Sequence, residues 1–317
     1  MRLGRTLLAL ALTAGIGLSL ATTASAHSRA TLLERFQPAL FFHEDEPFRP
    51  IRVERFVDDS NLEAATSPTT WVLVDPDPTV DTLPVTTPPV WRLNQRDCFA
   101  GAPLGDLACY VAAAGDQSRG KIYGRIARDG DAAVLQYWRF YYDDLYSSPF
   151  LPPGTIWQSH EGDWEVVSIV LSRHKKPLAV GYSQHCSGEV RSWNDTPRWK
   201  GHPKVYVALG SHANYFEPGL HAFDPACLPA QVIAFFQQAG LPLPADVVTA
   251  GAAERARVAR LSRHHPPNWL AFPGFWGELQ YFNAPPPVGT VPFGASPQGP
   301  AFHPVWSQPV ATLATWH

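Results

Sequence analysis

Thirty-two prolines in 317 residues limit this fold more than any other feature. A proline inside a helix removes a backbone hydrogen bond and its ring clashes with the preceding turn. The prolines are scattered, so long helices are disfavoured over most of the chain, and strands joined by irregular loops are favoured. The apolar runs agree. Ala132 to Tyr142 is a long β-branched and aromatic run, and Trp164 to Leu171, Leu178 to Ser183 and Lys204 to Leu209 follow it. Phe36 to Phe42 and Trp71 to Asp75 are shorter, and residues 76–90 read as a surface loop rich in Pro, Asp and Thr. Strands of this length separated by turns predict a mostly β chain forming a single β-sandwich with Pro-rich loops. They do not alternate with regular helices, which argues against a doubly wound parallel sheet.

One segment breaks the pattern. A helical insertion is expected near 228–263, with helices over Gln231 to Gln238 and Ala245 to Leu261 separated by Pro242 and Pro244. In the second, Arg257, Arg260 and Arg263 would share a face. That face reads as solvated surface or as a contact for anionic lipid. The tail from Ala284 to Pro309 reads as an extended arm, with Phe293, Phe302 and Trp306 packing over the sheet. The mature chain is thus expected to be one domain over 27–317. Its parts are N-terminal strands (36–120), a core (120–227), the helical insertion (228–263) and a C-terminal arm (264–317).

The first residues carry Arg2 and Arg5, an apolar stretch from Leu7 to about Leu20, and Ala24-Ser25-Ala26. This is the pattern of a secretory signal peptide over 1–26, cleaved after Ala26. The protein is therefore expected to be secreted or associated with the cell envelope. A formal net charge of −3 offers no electrostatic footprint for nucleic acid. The excess of arginine over lysine hints at a bacterial genome. An even number of cysteines in an exported chain favours disulfides, and the preferred pairing is Cys98–Cys109 with Cys186–Cys227.

The chemistry concentrates in His160-Glu161-Gly162-Asp163-Trp164-Glu165, directly before the apolar run Val166 to Val170. On a strand, Asp163 and Glu165 point to one face. If the run ending in Asp143 pairs antiparallel with this strand, Asp143 arrives beside His160, Asp163 and Glu165. Three carboxylates at close range raise one another's pKa, and a hard divalent cation, Ca²⁺, Mg²⁺ or Mn²⁺, resolves the conflict. The segment is not an H-E-x-x-H zinc helix, because position 164 is Trp. Gly210-Ser211-His212-Ala213 is not a nucleophile elbow, which needs a second glycine. His212 ends another strand and is the candidate for a fifth role: ligand, general base for a metal-bound water, or ligand contact. Phe275-Trp276-Gly277-Glu278 and Trp269 read as core aromatics.

Two resemblances rest on these residues. Pro38 to Pro50, His160 to Glu165, Gly210 to Tyr215, Trp276-Gly277-Glu278 and Gly299-Pro300 resemble the Vps-sixty-two-type (vacuolar protein sorting-associated) family. The pair Trp138…Asp143 and His160 to Glu165 is similar to the hallmark of the necrosis- and ethylene-inducing-like proteins. These are secreted β-sandwich cytolysins with the heptapeptide Gly-His-Arg-His-Asp-Trp-Glu. That likeness implies Asp143, His160, Asp163 and Glu165 as cation ligands and a sugar headgroup of a membrane lipid as partner. Here Ser159, Glu161 and Gly162 depart from the heptapeptide, so cytolysis is not implied. Three functions stay open: a cation-dependent binder of a sugar, polyol or lipid headgroup; a metal-dependent hydrolase using Asp163, with His212 or Glu161 as base; and a structural cell-surface protein rigidified by a cation.

Overall fold

The computed structural model describes residues 32–98, 107–118, 120–151, 158–278, 280–283, 290–294 and 296–317. The signal-peptide segment 1–26, the stretch 284–289 of the tail and the Phe293 side chain lie outside the described residues.

The strands run along the chain as follows. β1 (Ala39–Phe42) is followed by a small antiparallel sheet of β2 (Ser60–Ser67), β3 (Thr70–Asp75) and β4 (Trp91–Gln95). β5 (Lys121–Asp129), β6 (Ala132–Tyr146), β7 (Gln158–Leu171), β8 (Pro177–Gln184) and β9 (Ser187–Ser192) form a meander. β10 (Arg198–Trp199), β11 (His202–Val207) and β12 (Asn214–Tyr215) follow, then β13 (Gly219–Ala222), β14 (Ala245–Val248), β15 (Ala253–Glu254) and β16 (Arg257–Arg260). β16 joins the meander parallel to β5, giving a six-stranded sheet in the order β16-β5-β6-β7-β8-β9. A second sheet is built on β1, which lies parallel to β11 and antiparallel to β15.

The two sheets share one core, in which Leu40, Phe42, Val205 and Val207 meet Tyr137, Val167, Ile169 and Tyr182. On the opposite side of the hairpin, Trp164 lies 4.7 Å from the Phe140 ring, 5.4 Å from Trp276 and 5.6 Å from Trp269. β6 is therefore covered on both faces. From Val134 to Tyr146 every residue is buried, which is why its sequence shows an unbroken apolar run and no alternation.

The insertion is corrected in its second half. The helix Ala230–Gln238 is present, but Ala245 to Leu261 forms β14, β15 and β16. Alanine is the strongest helix former, but tertiary pairing overrides local propensity here: Val258 sits opposite Ile122 on the open edge of β5. Arg257 and Arg260 are consequently three apart on a strand and do not share a face. The tail is also corrected. After Gln298 it forms short helical turns over Pro300–Phe302, Pro304–Ser307 and Pro309–Leu313, and Phe302 is 41% exposed.

Both expected disulfides are present, Cys98–Cys109 and Cys186–Cys227. The second closes a loop of sequence separation 41 and anchors the segment holding β9 to β13. Loop-closure entropy for that span is about 4 kcal/mol. Cys186→Ser with Cys227→Ser is expected to lower unfolding free energy by about that amount in urea titration. The same change at Cys98 and Cys109 is expected to cost about 1 kcal/mol less, in line with its shorter loop.

Candidate metal centre

β6 and β7 pair along nearly their whole length, with Asp144 opposite His160 and Asp143 opposite Glu161. A regular strand would send His160 and Asp163 to opposite faces, since they are three apart. Gly162, with φ +59°, sits between them in the left-handed region and resets the alternation. His160 and Asp163 now face the same side, together with Asp144. Each offers one ligand atom, and the three atoms lie within 4.8 Å of one another. His160 Nε2 is 3.1 Å from Asp144 Oδ2. Asp144 Oδ1 is buried with no hydrogen-bond partner. An orphaned buried carboxylate oxygen beside an imidazole and a second carboxylate fits a hard divalent cation.

The structure places the other expected residues differently. Asp143 points to the back of the hairpin, beside Glu161. Burial, then the Glu161 charge, raise its carboxyl well above the usual carboxylate range. Asp144, its neighbour, takes the position expected of Asp143. The physical reason is the same slip of alternation: Tyr141 and Asp144, three apart, both face the acidic site. Glu165 also lies on that side, and burial, followed by the Asp163 charge, raises its pKa. It accepts from Asn214 Nδ2 at 2.6 Å and from the Ser183 hydroxyl, outside the three-residue group. Glu161 faces away. It accepts from the Tyr110 hydroxyl at 3.0 Å and from the backbone N–H groups of Gln95 and Glu278. It thereby fastens the helix Leu107–Ala114, β4 and the Trp276 segment to the back of β7.

His212 is fully buried and stacks flat on Tyr141 at 3.9 Å. Its Nδ1 is 3.1 Å from Asp163 Oδ2 and its Nε2 is 3.3 Å from Glu46 Oε1. Burial pulls its pKa down, but Glu46 and Asp163 outweigh that and raise it to about 10. A protonated imidazole with both nitrogens engaged donates rather than accepts, so His212 orients Asp163 and has no free nitrogen to act as a base here. Glu161, on the other face, cannot take that role either.

Sequence reasoning missed the supports. Glu46, in the acidic turn after β1, accepts from the Gly210 N–H at 2.6 Å and the Phe48 N–H at 2.9 Å, locking that turn to the His212 loop. Asp246, fully buried, accepts from the Ser211 and Tyr215 hydroxyls at 2.5 Å each, and His185 Nε2 lies 2.7 Å away. None of these has a local motif, since each partner comes from a distant part of the chain. Asp246→Ala strands two buried hydroxyls and removes the carboxylate partner of His185, and is expected to cost about 2–4 kcal/mol in chemical denaturation. Burial lowers the His185 pKa, yet Asp246 and nearby acids raise it overall. The His185 share of that stability is present below about pH 6.5 and fades as pH rises through the elevated folded value.

β8 pairs with β7 only as far as Tyr182 opposite Val167. Beyond that point the strands part, and the Ser183 hydroxyl bridges to the Val166 backbone. The gap opens into a cavity of about 620 Å³ lined by Glu165, Ser183 and His185 and walled by Trp138, Trp164 and Trp316; Asp144, His160 and Asp163 are not part of its lining.

No protein-family model matches the chain. Vacuolar protein sorting-associated protein 62 of Saccharomyces cerevisiae is 26% identical over 202 residues, covering 55% of this chain and 41% of the relative. A second yeast protein of similar description is 26% identical over 172 residues, covering 48% of this chain and 36% of its own length. The chain thus spans about two-fifths of the length of the curated relatives it matches. Among solved structures, "NLPPya in complex with glucosamine" is 14% identical with a TM-score of 0.42, covering 90% of this chain and 89% of that one. Necrosis and Ethylene inducing Protein 2 from the causal agent of cocoa's Witches Broom disease is 13% identical with a TM-score of 0.36, covering 72% of each chain. Both families indicated by the sequence motifs recur among these similar proteins.

Proposed function

We propose that this protein is an exported recognition protein that holds one divalent cation on Asp144, His160 and Asp163 and uses it to bind a sugar or polyol headgroup. The observation that carries this reading is the convergence of three ligand atoms within 4.8 Å around an unpartnered, buried Asp144 oxygen. Calcium takes six to eight oxygen ligands and magnesium six, so three protein donors leave several positions for hydroxyl oxygens. Vicinal hydroxyls of a sugar suit those positions. A cavity of about 620 Å³ beside Glu165, two residues along β7 from Asp163, is of ligand size, and its indole walls offer apolar faces to a sugar ring. Two disulfides fit an oxidising compartment and support export. A headgroup carried by a lipid would bring the protein to a membrane surface as a peripheral partner.

The bound ion would polarise the hydroxyls it touches. The protein's own part is to hold the ligand set rigid: His212 orients Asp163, and Asn214 and Ser183 orient Glu165 at the mouth of the cavity. The test is calorimetry with Ca²⁺, Mg²⁺ and Mn²⁺, followed by a glycan array with and without EDTA. One ion per chain and glycan retention that EDTA removes and added ion restores is the expected result. Ion-free protein that still retains glycans, or no stoichiometric ion, rejects the reading.

A further inference from the structure

The six-stranded sheet carries a second cavity at the end remote from the acidic site. Ala133 and Leu171 pair near it, whereas Asp144 and His160 pair at the other end of the same hairpin. Eleven residues of strand separate the two, about 35 Å. The cavity encloses about 600 Å³, and Arg125, Arg128, Arg173, Lys175, Arg260 and Arg263 line it. Asp131 is the sole carboxylate in that lining. Six cations against one acid is a marked reversal in a chain of net charge −3. Among the described residues none of the six forms an ion pair with a carboxylate.

Arg125 shows the imbalance most clearly. Its Nη1 is buried without a hydrogen-bond partner, and its guanidinium lies 3.5 Å from the centre of the Trp306 ring. Burial, and then the nearby Arg263, push its pKa down to about 10. A desolvated cation facing like charge is costly unless an anion completes the set. Guanidinium groups match tetrahedral oxyanions bidentately. Apart from Ser172 and Ser262 the rest of the lining is apolar, with Leu171, Leu261 and Leu270 beside Trp306. The ligand that fits has an anionic head and an apolar body.

We propose that this cleft is a binding site for a phosphate ester carrying an apolar body, held by Arg125, Arg260 and Arg263 over the Leu171–Leu270–Trp306 surface. It is independent of the cation centre. The source of the ester is either a free amphiphilic phosphate or the headgroup of an anionic membrane lipid, and the two are separable by experiment.

Titration calorimetry with dodecyl phosphate below its micelle concentration is expected to show saturable one-to-one binding. Inorganic phosphate is expected to bind more weakly, and dodecyl maltoside not at all. Arg260→Gln and Arg263→Gln, both at exposed positions, are expected to weaken dodecyl phosphate binding at least tenfold each with unchanged circular dichroism. Arg125→Gln is added as the buried probe, and the two rim variants keep the test decisive if it fails to fold. EDTA is expected to leave this binding untouched. Co-sedimentation with phosphatidylcholine vesicles, with and without phosphatidylglycerol, reads the source. Retention that requires phosphatidylglycerol and is lost in the rim variants identifies a membrane lipid. Binding of the soluble ester alone identifies a free phosphate. Equal binding of maltoside and phosphate, binding unchanged in the rim variants, or binding in neither assay overturns the proposal.

Discussion

Asp144→Asn is expected to weaken cation binding at least about 100-fold in calorimetry, a loss of about 2.7 kcal/mol. The substitution keeps shape and volume and removes one charge from a group of three ligands, so the fold is retained while the ion loses a hard anionic donor. The same experiment has a stability arm. Ion at about 100 times its dissociation constant stabilises the folded chain by about 2.7 kcal/mol. For a chain of this size that is roughly 4 °C in Tm, which EDTA should remove from the wild type. The Asp144→Asn protein should show no EDTA shift. In EDTA it should melt close to wild type, because relief of the repulsion from Asp163 offsets the loss of the His160–Asp144 contact. A wild type indifferent to EDTA, or a variant that keeps the shift, removes the cation from the account.

Of the candidate cluster Asp144, His160 and Asp163, two residues stand where the sequence reading expected them, and Asp144 stands in place of Asp143. His160 and Asp163 could be picked out because their spacing placed imidazole and carboxylate next to a strand. Choosing Asp143 over Asp144 assumed that strand alternation continues unbroken, and Gly162 breaks it. Gly162 on β7 and the slip opposite it on β6 together put Asp144 rather than Asp143 on the site face, and a positive φ cannot be read from residue type alone. The supports were less accessible. Glu46 reaches the site from the turn after β1, Asn214 from β12 and Asp246 from β14, so their roles follow from tertiary contacts that leave no periodic mark. The strands 132–146 and 158–171 were visible because an apolar run covered on both faces is long and uninterrupted. The segment 245–261 was not, because its alanines carry a helical preference that edge pairing with β5 overrides.

Gly162→Ala tests that geometric device directly. A Cβ at position 162 would lie 2.1 Å from the Trp276 carbonyl oxygen and 3.2 Å from the Phe140 ring. The carbonyl belongs to the backbone and cannot rotate away. Left-handed backbone costs an L-residue about 1–2 kcal/mol, and overpacking typically adds about 1–3 kcal/mol. The expected loss is therefore about 2–5 kcal/mol in urea unfolding, near the upper end because the obstacle is main chain. Gly130→Ala is the matched control. Gly130 also has a positive φ, +56°, but nothing stands within 4 Å of its Cβ position, so only the conformational part, about 1–2 kcal/mol, is expected there. The two variants also separate stability from ligand geometry. If the chain relieves the clash at 162 by returning to extended backbone, His160 and Asp163 turn to opposite faces and cation affinity falls with stability. At position 130 affinity should hold. Equal costs at the two glycines, or a Gly162→Ala protein that binds ion like wild type, would show that the alternation reset is not what assembles the centre.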